Sequence, residues 1–232
     1  MNRILSIARL LTLGRNDALV WPVAILGFAF AVNLLVFANI PSDALDSDPV
    51  SGALASIYIT SLAFGAVAVN QHFPFALGMG VTRREFTAGL ALFGLVQVLV
   101  YSTLLVILQA IEDATNGWGL RLRFFGLGFI DEHSVPVQFA IYAVPLMAMT
   151  LIGIAAGALY LRWRANGIMT ATTLLLLLAG GATALIGRAG KWPAVGHWLT
   201  NTSLVSLTAV WPLVLVALLA TGSWLSLRRA TL

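Results

Sequence analysis

Six stretches of this chain, residues 18–40, 50–71, 86–111, 135–161, 165–187 and 198–227, contain no Asp, Glu, Lys, Arg or His, and each is at least twenty-two residues long. About 20 apolar residues, rising 1.5 Å each, are enough to cross the roughly 30 Å hydrocarbon layer of a bilayer. Each stretch is therefore long enough to span, and little of the 232 residues remains for a soluble domain. With 59% hydrophobic and only 9% charged residues, one soluble core of this size could not hide the apolar surface. The expected fold is all-α: a single membrane domain over residues 1–232, a polytopic bundle of six transmembrane helices.

Orientation follows from the basic residues between the stretches. With the N-terminus inside, Arg3, Arg9, Arg15, Arg83, Arg84, Arg162, Arg164, Arg228 and Arg229 lie on the cytoplasmic side, against Arg121, Arg123, Arg188 and Lys191 outside. Positive residues collect on the inner face of membrane proteins, so both ends are expected inside. The first apolar run is too long for the core of a cleaved signal peptide and reads as a retained span. Residues 1–17 place Ile4, Leu5, Ile7, Ala8, Leu10, Leu11 and Leu13 at helical spacing among three arginines. That pattern fits an interfacial helix on the inner leaflet, with a plain basic leader as the alternative. The segment 112–134 is rich in Trp, Leu and Phe and reads as an outer interfacial loop, an aromatic belt at the membrane surface.

No stretch carries an ionisable residue near its middle, where a proton-coupled carrier would place one. The Gly-Lys pair, Gly190–Lys191, is followed by Trp192, so the phosphate-cradling loop of an ATPase is not there. There is no Gly-x-Ser-x-Gly and no His-Glu-x-x-His, and the absence of cysteine excludes thiolate chemistry. The net charge of +4 comes from scattered single and paired arginines, a pattern of topology rather than nucleic-acid binding. Pro145 and Pro212 fall inside spans, where a kink is the default. Gly153 and Gly157 share one helix face and permit close approach of another helix, within the chain or between chains.

The most patterned connection between spans is residues 72–86. Phe73-Pro74-Phe75-Ala76-Leu77-Gly78-Met79-Gly80 reads as a short helix begun at Pro74 and ended at Gly78 or Gly80. Thr82, followed three residues later by Glu85, has the spacing of a capping box at the start of the next helix.

The run Phe-Pro-Phe-Ala-Leu…Gly-Val-Thr-Arg-Arg-Glu-Phe after a second span resembles the permease subunits of bacterial type-2 ATP-binding-cassette exporters. About 15 residues carry the likeness in detail, while six spans, inner ends and an N-terminal amphipathic helix carry it in architecture. The resemblance implies that residues 72–86 are a coupling segment seated on a separate ATPase subunit, with Phe73, Phe75, Leu77, Arg83, Arg84, Glu85 and Phe86 as candidate contacts. It also implies a dimer of permeases in the bacterial plasma membrane with two ATPase subunits, which bind the ATP and Mg; no cofactor is expected in this chain. An outer gate before the last span, residues 188–203, would carry Trp192, Pro193 and Trp198. Asn33 and Gln97 are candidate polar groups along a path for an apolar or amphipathic cargo such as a lipid, peptide or drug. Two other readings compete: a membrane enzyme using Asp131, Glu132 and His133, and an assembly or sensory subunit that transports nothing.

Overall fold

The computed structural model describes residues 17–40, 51–126, 134–203 and 205–229. The expected interfacial helix over residues 1–17 and the Asp131–His133 cluster lie essentially outside these. The described chain is helical: α1 (Asp17–Ala38), α2 (Ala55–Val67), α3 (Phe73–Gly78), α4 (Arg83–Ala114), α5 (Val135–Arg188), α6 (Trp192–Asn201) and α7 (Trp211–Arg229). Four helical stretches are long and apolar enough to cross a membrane: Leu19–Ala38, Gly52–Gly78, Arg83–Ala114 and Val135–Arg188. A fifth arises if α6 and the stretch Ser206–Leu218, bent by 103° from each other, are taken as one broken span. Several long apolar helices of this kind suggest a multi-pass membrane protein.

Two proline positions shape these helices. Pro74 has no N–H to give the carbonyl four residues back, and its ring crowds that carbonyl. The wider π-helical turn Ala68–His72 lies directly upstream and joins α2 to α3 without a loop. The second apolar helix therefore runs on to Gly78 rather than ending near Gln71. Pro212 repeats the arrangement behind the π turn Ser206–Val210, whereas Pro145 sits in an uninterrupted helical stretch.

α5 has 54 residues and would be about 80 Å long if straight. It is not straight. Arg164 has φ 54° and ψ −148°, and a Cβ on Gly167 would lie 3.3 Å from the Leu159 carbonyl oxygen. Eight residues of straight helix would separate those positions by about 12 Å, so the chain folds back on itself at Arg164. This backbone region is essentially confined to glycine and costs another residue roughly 1–3 kcal/mol. Arg164→Gly is expected to stabilise the purified protein by about 1 kcal/mol, seen as a higher midpoint of thermal unfolding in detergent. An unchanged or lower midpoint would contradict the strain.

Packing falls into two regions about 28 Å apart along α4, estimated from Phe86 to Leu105. At one end, buried Ala68, Val69, Phe73, Phe86, Phe93 and Ile154 form a cluster, with Leu161 against it. The vertex at Arg164 thus lies at the same end as the α3–α4 turn. At the far end, Leu26, Ile57, Leu105, Phe124, Phe125 and Leu146 form the second cluster. Between them, α2 and the first arm of α5 meet backbone to backbone. A Cβ on Gly153 would collide with the Leu62 carbonyl, and one on Gly157 would come within 2.8 Å of the Ala66 carbonyl oxygen. Gly65 faces Thr150 and Ile154 from the opposite side. The small-residue face of Gly153 and Gly157 is therefore an interface within the chain.

The second arm of α5 is different. Leu174 through Leu178 are all 57–68% exposed, so apolar side chains point outward around the whole circumference. Such a helix needs lipid or other protein around it.

Candidate functional site

The turn between α3 and α4 is held at both ends by local capping. At the end of α3, the Val81 N–H donates to the Ala76 carbonyl (3.1 Å) and the Gly80 N–H to the Leu77 carbonyl (3.0 Å). These paired bonds form the Schellman closure of a helix, which needs a left-handed residue at the position after the cap. Gly80, at φ 79°, supplies it without steric cost. Gly80 is thus the stop, and Gly78 is the last helical residue.

At the start of α4, the Glu85 N–H donates to Thr82 Oγ1 (3.2 Å). The Thr82 N–H donates back to Glu85 Oε2 (3.0 Å). The capping box expected from the spacing is formed. It ties the Glu85 carboxylate into the turn's own backbone.

The seven candidate contacts divide by burial. Phe73 and Phe86 are fully buried, their rings edge to face with centroids 5.1 Å apart, so they brace the turn from inside. Leu77 and Val81 pack partly against the same cluster. Arg83 and Glu85 are half-buried, and Arg84 is exposed. Phe75 is 58% exposed, and Met79, which the sequence reading passed over, is 52% exposed. With exposed Gln71, these two occupy positions four apart, the spacing of one helix face. Phe75 and Met79 are the apolar part of that exposed stripe, and the helix that follows the turn opens with Arg83 and the exposed Arg84. Met79 was legible in principle, since a methionine four residues after an aromatic continues the same face.

The other candidates are dispersed. Asn33 is half-buried, and its amide donates to the Ala29 carbonyl of its own helix at 2.8 Å. Gln97 is buried within α4 at 1% exposure. Trp192, Pro193 and Trp198 lie on the exposed helix α6, where Trp198 meets Trp211 edge to face at 6.1 Å.

In the described part of the segment expected as an aromatic belt, residues 112–126, several apolar side chains pack inward against the helices. Leu122, Phe124 and Phe125 are buried, while Trp118 and Leu120 pack partly against the same cluster. Phe30 of α1 contacts Trp118, Phe124 and Phe125 at 4.8, 5.1 and 5.3 Å between centroids. The cause is Glu112, which is wholly buried. Its Oε2 accepts from the indole N–H of Trp118 (3.2 Å) and the backbone N–H groups of Phe124 and Phe125 (3.0 Å each), and its Oε1 from Gly126 (2.8 Å). Beside it, the Tyr142 hydroxyl lies 2.7 Å from Gln109 Oε1 and 2.9 Å from the Phe125 carbonyl. The turn leading in has left-handed Asn116, Gly117, Trp118 and Gly119 in succession. At Gly117 a Cβ would meet Leu122 N at 2.6 Å.

The sequence alone assigns Glu112 no more than a place among the acids of the outer side, because nothing local marks its partners, six to fourteen residues downstream. Leu127 and Phe129 of the same segment lie outside the described residues. Among the described residues no group of three His, Asp or Glu side chains is placed to hold a metal ion.

No family model, no curated protein and no solved structure significantly matches the chain.

Proposed function

We propose that the chain is the membrane-spanning subunit of a bacterial ATP-driven exporter of the type-2 ATP-binding-cassette kind. It would work as a pair of permeases with two ATPase subunits, which bind the ATP and Mg. Six spans result when the arms of α5 on either side of Arg164 are counted separately and α6 with the following helix is counted once. Both ends and the α3–α4 turn then face the cytoplasm, and α6 stands at the outer face as a gate. The observation carrying this reading is the capped turn with Phe75 and Met79 outward: apolar side chains on a stiff, water-facing turn need a reason to be exposed, and a partner's groove is one.

The packing also suits a lever. α2 is keyed to the first arm of α5 by Gly65, Gly153 and Gly157, and the turn is tied to α4 by the Thr82–Glu85 box. A push on the turn would therefore move three helices together rather than bend a loop. For such a push to drive export, the cargo must bind the two resulting conformations unequally. An apolar or amphipathic cargo fits helices with so few polar groups.

Phe75→Asp combined with Met79→Asp tests the contact. Both side chains are exposed, so the variant should keep its thermal midpoint while the ATPase subunit no longer co-purifies and ATP-dependent transport in vesicles falls at least ~10-fold, the effect of losing about 1.4 kcal/mol at a contact. Undiminished assembly and transport would refute the placement. Transport by the isolated polypeptide without nucleotide would refute the function.

A further inference from the structure

The vertex of α5 encloses a cleft that the exporter reading does not use. Leu159 and Trp163 from the first arm, and Asn166, Gly167, Thr170 and Ala171 from the second, line a space of about 340 Å³, within the range of small-molecule sites. Its walls are mostly apolar. Two exposed cations flank its Trp163 in the chain: Arg164, at the break itself, and Arg162, whose guanidinium carbon sits 4.7 Å from the centre of the Trp163 ring. Among the described residues neither arginine has an acidic partner. Arg164 holds a backbone conformation that glycine would adopt more cheaply, so the chain keeps a charge there at a cost in stability.

From this juxtaposition we propose that the vertex cleft binds an anionic phospholipid of the surrounding bilayer. The acyl chain would lie along Leu159, Gly167 and Ala171, and the phosphate would sit at Arg162 and Arg164. Trp163, 52% exposed, stands between them where an amphipathic ring suits the boundary of water and hydrocarbon. Charge complementarity selects the headgroup, since a zwitterionic lipid brings its own ammonium against the arginines. The apolar lining selects a lipid over a free anion. The inference needs only that α5 lies in a membrane with its vertex at the surface; it does not depend on ATP or on export.

The test uses the full chain in phosphatidylcholine vesicles containing equal mole fractions of either brominated phosphatidylglycerol or brominated phosphatidylcholine. Quenching of Trp163 is isolated by subtracting the Trp163→Phe variant. The expected result is a preference for phosphatidylglycerol on the order of tenfold, the effect of two interfacial arginines. It should vanish in Arg162→Gln/Arg164→Gln. Ala171→Phe keeps both charges, alters an exposed position and fills the cleft, so it should abolish the preference as well. Equal quenching by the two lipids would overturn the proposal. A preference that survives Ala171→Phe would mean that the arginines act on bulk lipid and not through the cleft. Displacement of the quenching by inorganic phosphate alone would overturn the assignment to a lipid.

Discussion

Replacing Gly153 with alanine should cost the protein roughly 3 kcal/mol, the upper part of the range for overpacking. The added methyl would point into the Leu62 carbonyl of α2, a backbone atom that no rotamer change can move aside. α2 and α5 would have to separate along their length. That would also loosen Gly65 against Thr150 and Gly157 against Ala66, so the loss is shared over a whole interface. Gly180→Ala is the matched control, because nothing lies within 4 Å of a Cβ there, and in an open helix the change should stabilise by about 0.5–1 kcal/mol. Unfolding in mixed micelles by increasing dodecyl sulfate measures both. A Gly153→Ala protein as resistant as the parent would show that α2 and α5 do not approach so closely.

Glu112→Ala is expected to be of similar or greater size, roughly 4 kcal/mol. It leaves the indole N–H of Trp118 and three buried backbone N–H groups without their acceptor, and hydrogen bonds to a charged group contribute about 1.5–3 kcal/mol each. Part of that loss is relieved as the segment swings outward to water. Glu112→Gln should cost about half as much, because one amide oxygen can still serve the three donors on the Oε2 side while the charge and the bond to Gly126 are lost. Hydrogen exchange at Phe124, Phe125 and Gly126 reports the release directly, and Trp118 emission should shift as the ring leaves Phe30. Retained protection in the alanine variant would show that ring packing alone holds the segment.

What sequence could and could not reveal follows the reach of each signal. The long apolar helices were legible because length without charge is a property of one segment, and the bilayer sets the required length. The α3–α4 turn was legible for a similar reason: Pro74, Gly80, Thr82 and Glu85 act on backbone groups within five residues, so spacing alone predicts their bonds. Gly153 and Gly157 announced a close approach but not to whom, since a face of small residues carries no address.

The reversal between residues 161 and 165 was legible as a charged break between two apolar stretches, but only the tertiary structure placed it in the backbone of Arg164, turned Phe73 and Phe86 toward each other while leaving Phe75 and Met79 outside, and folded the Trp118–Gly126 segment around Glu112. The packing among these depends on which other surface a residue meets: Phe86 for Phe73 and Phe30 for Phe125, just as Gly153 meets Leu62. An apolar side chain satisfies its chemistry equally well against lipid, a neighbouring helix or a second protein. Hydrophobicity therefore determines that a residue is hidden from water, and only packing determines behind what.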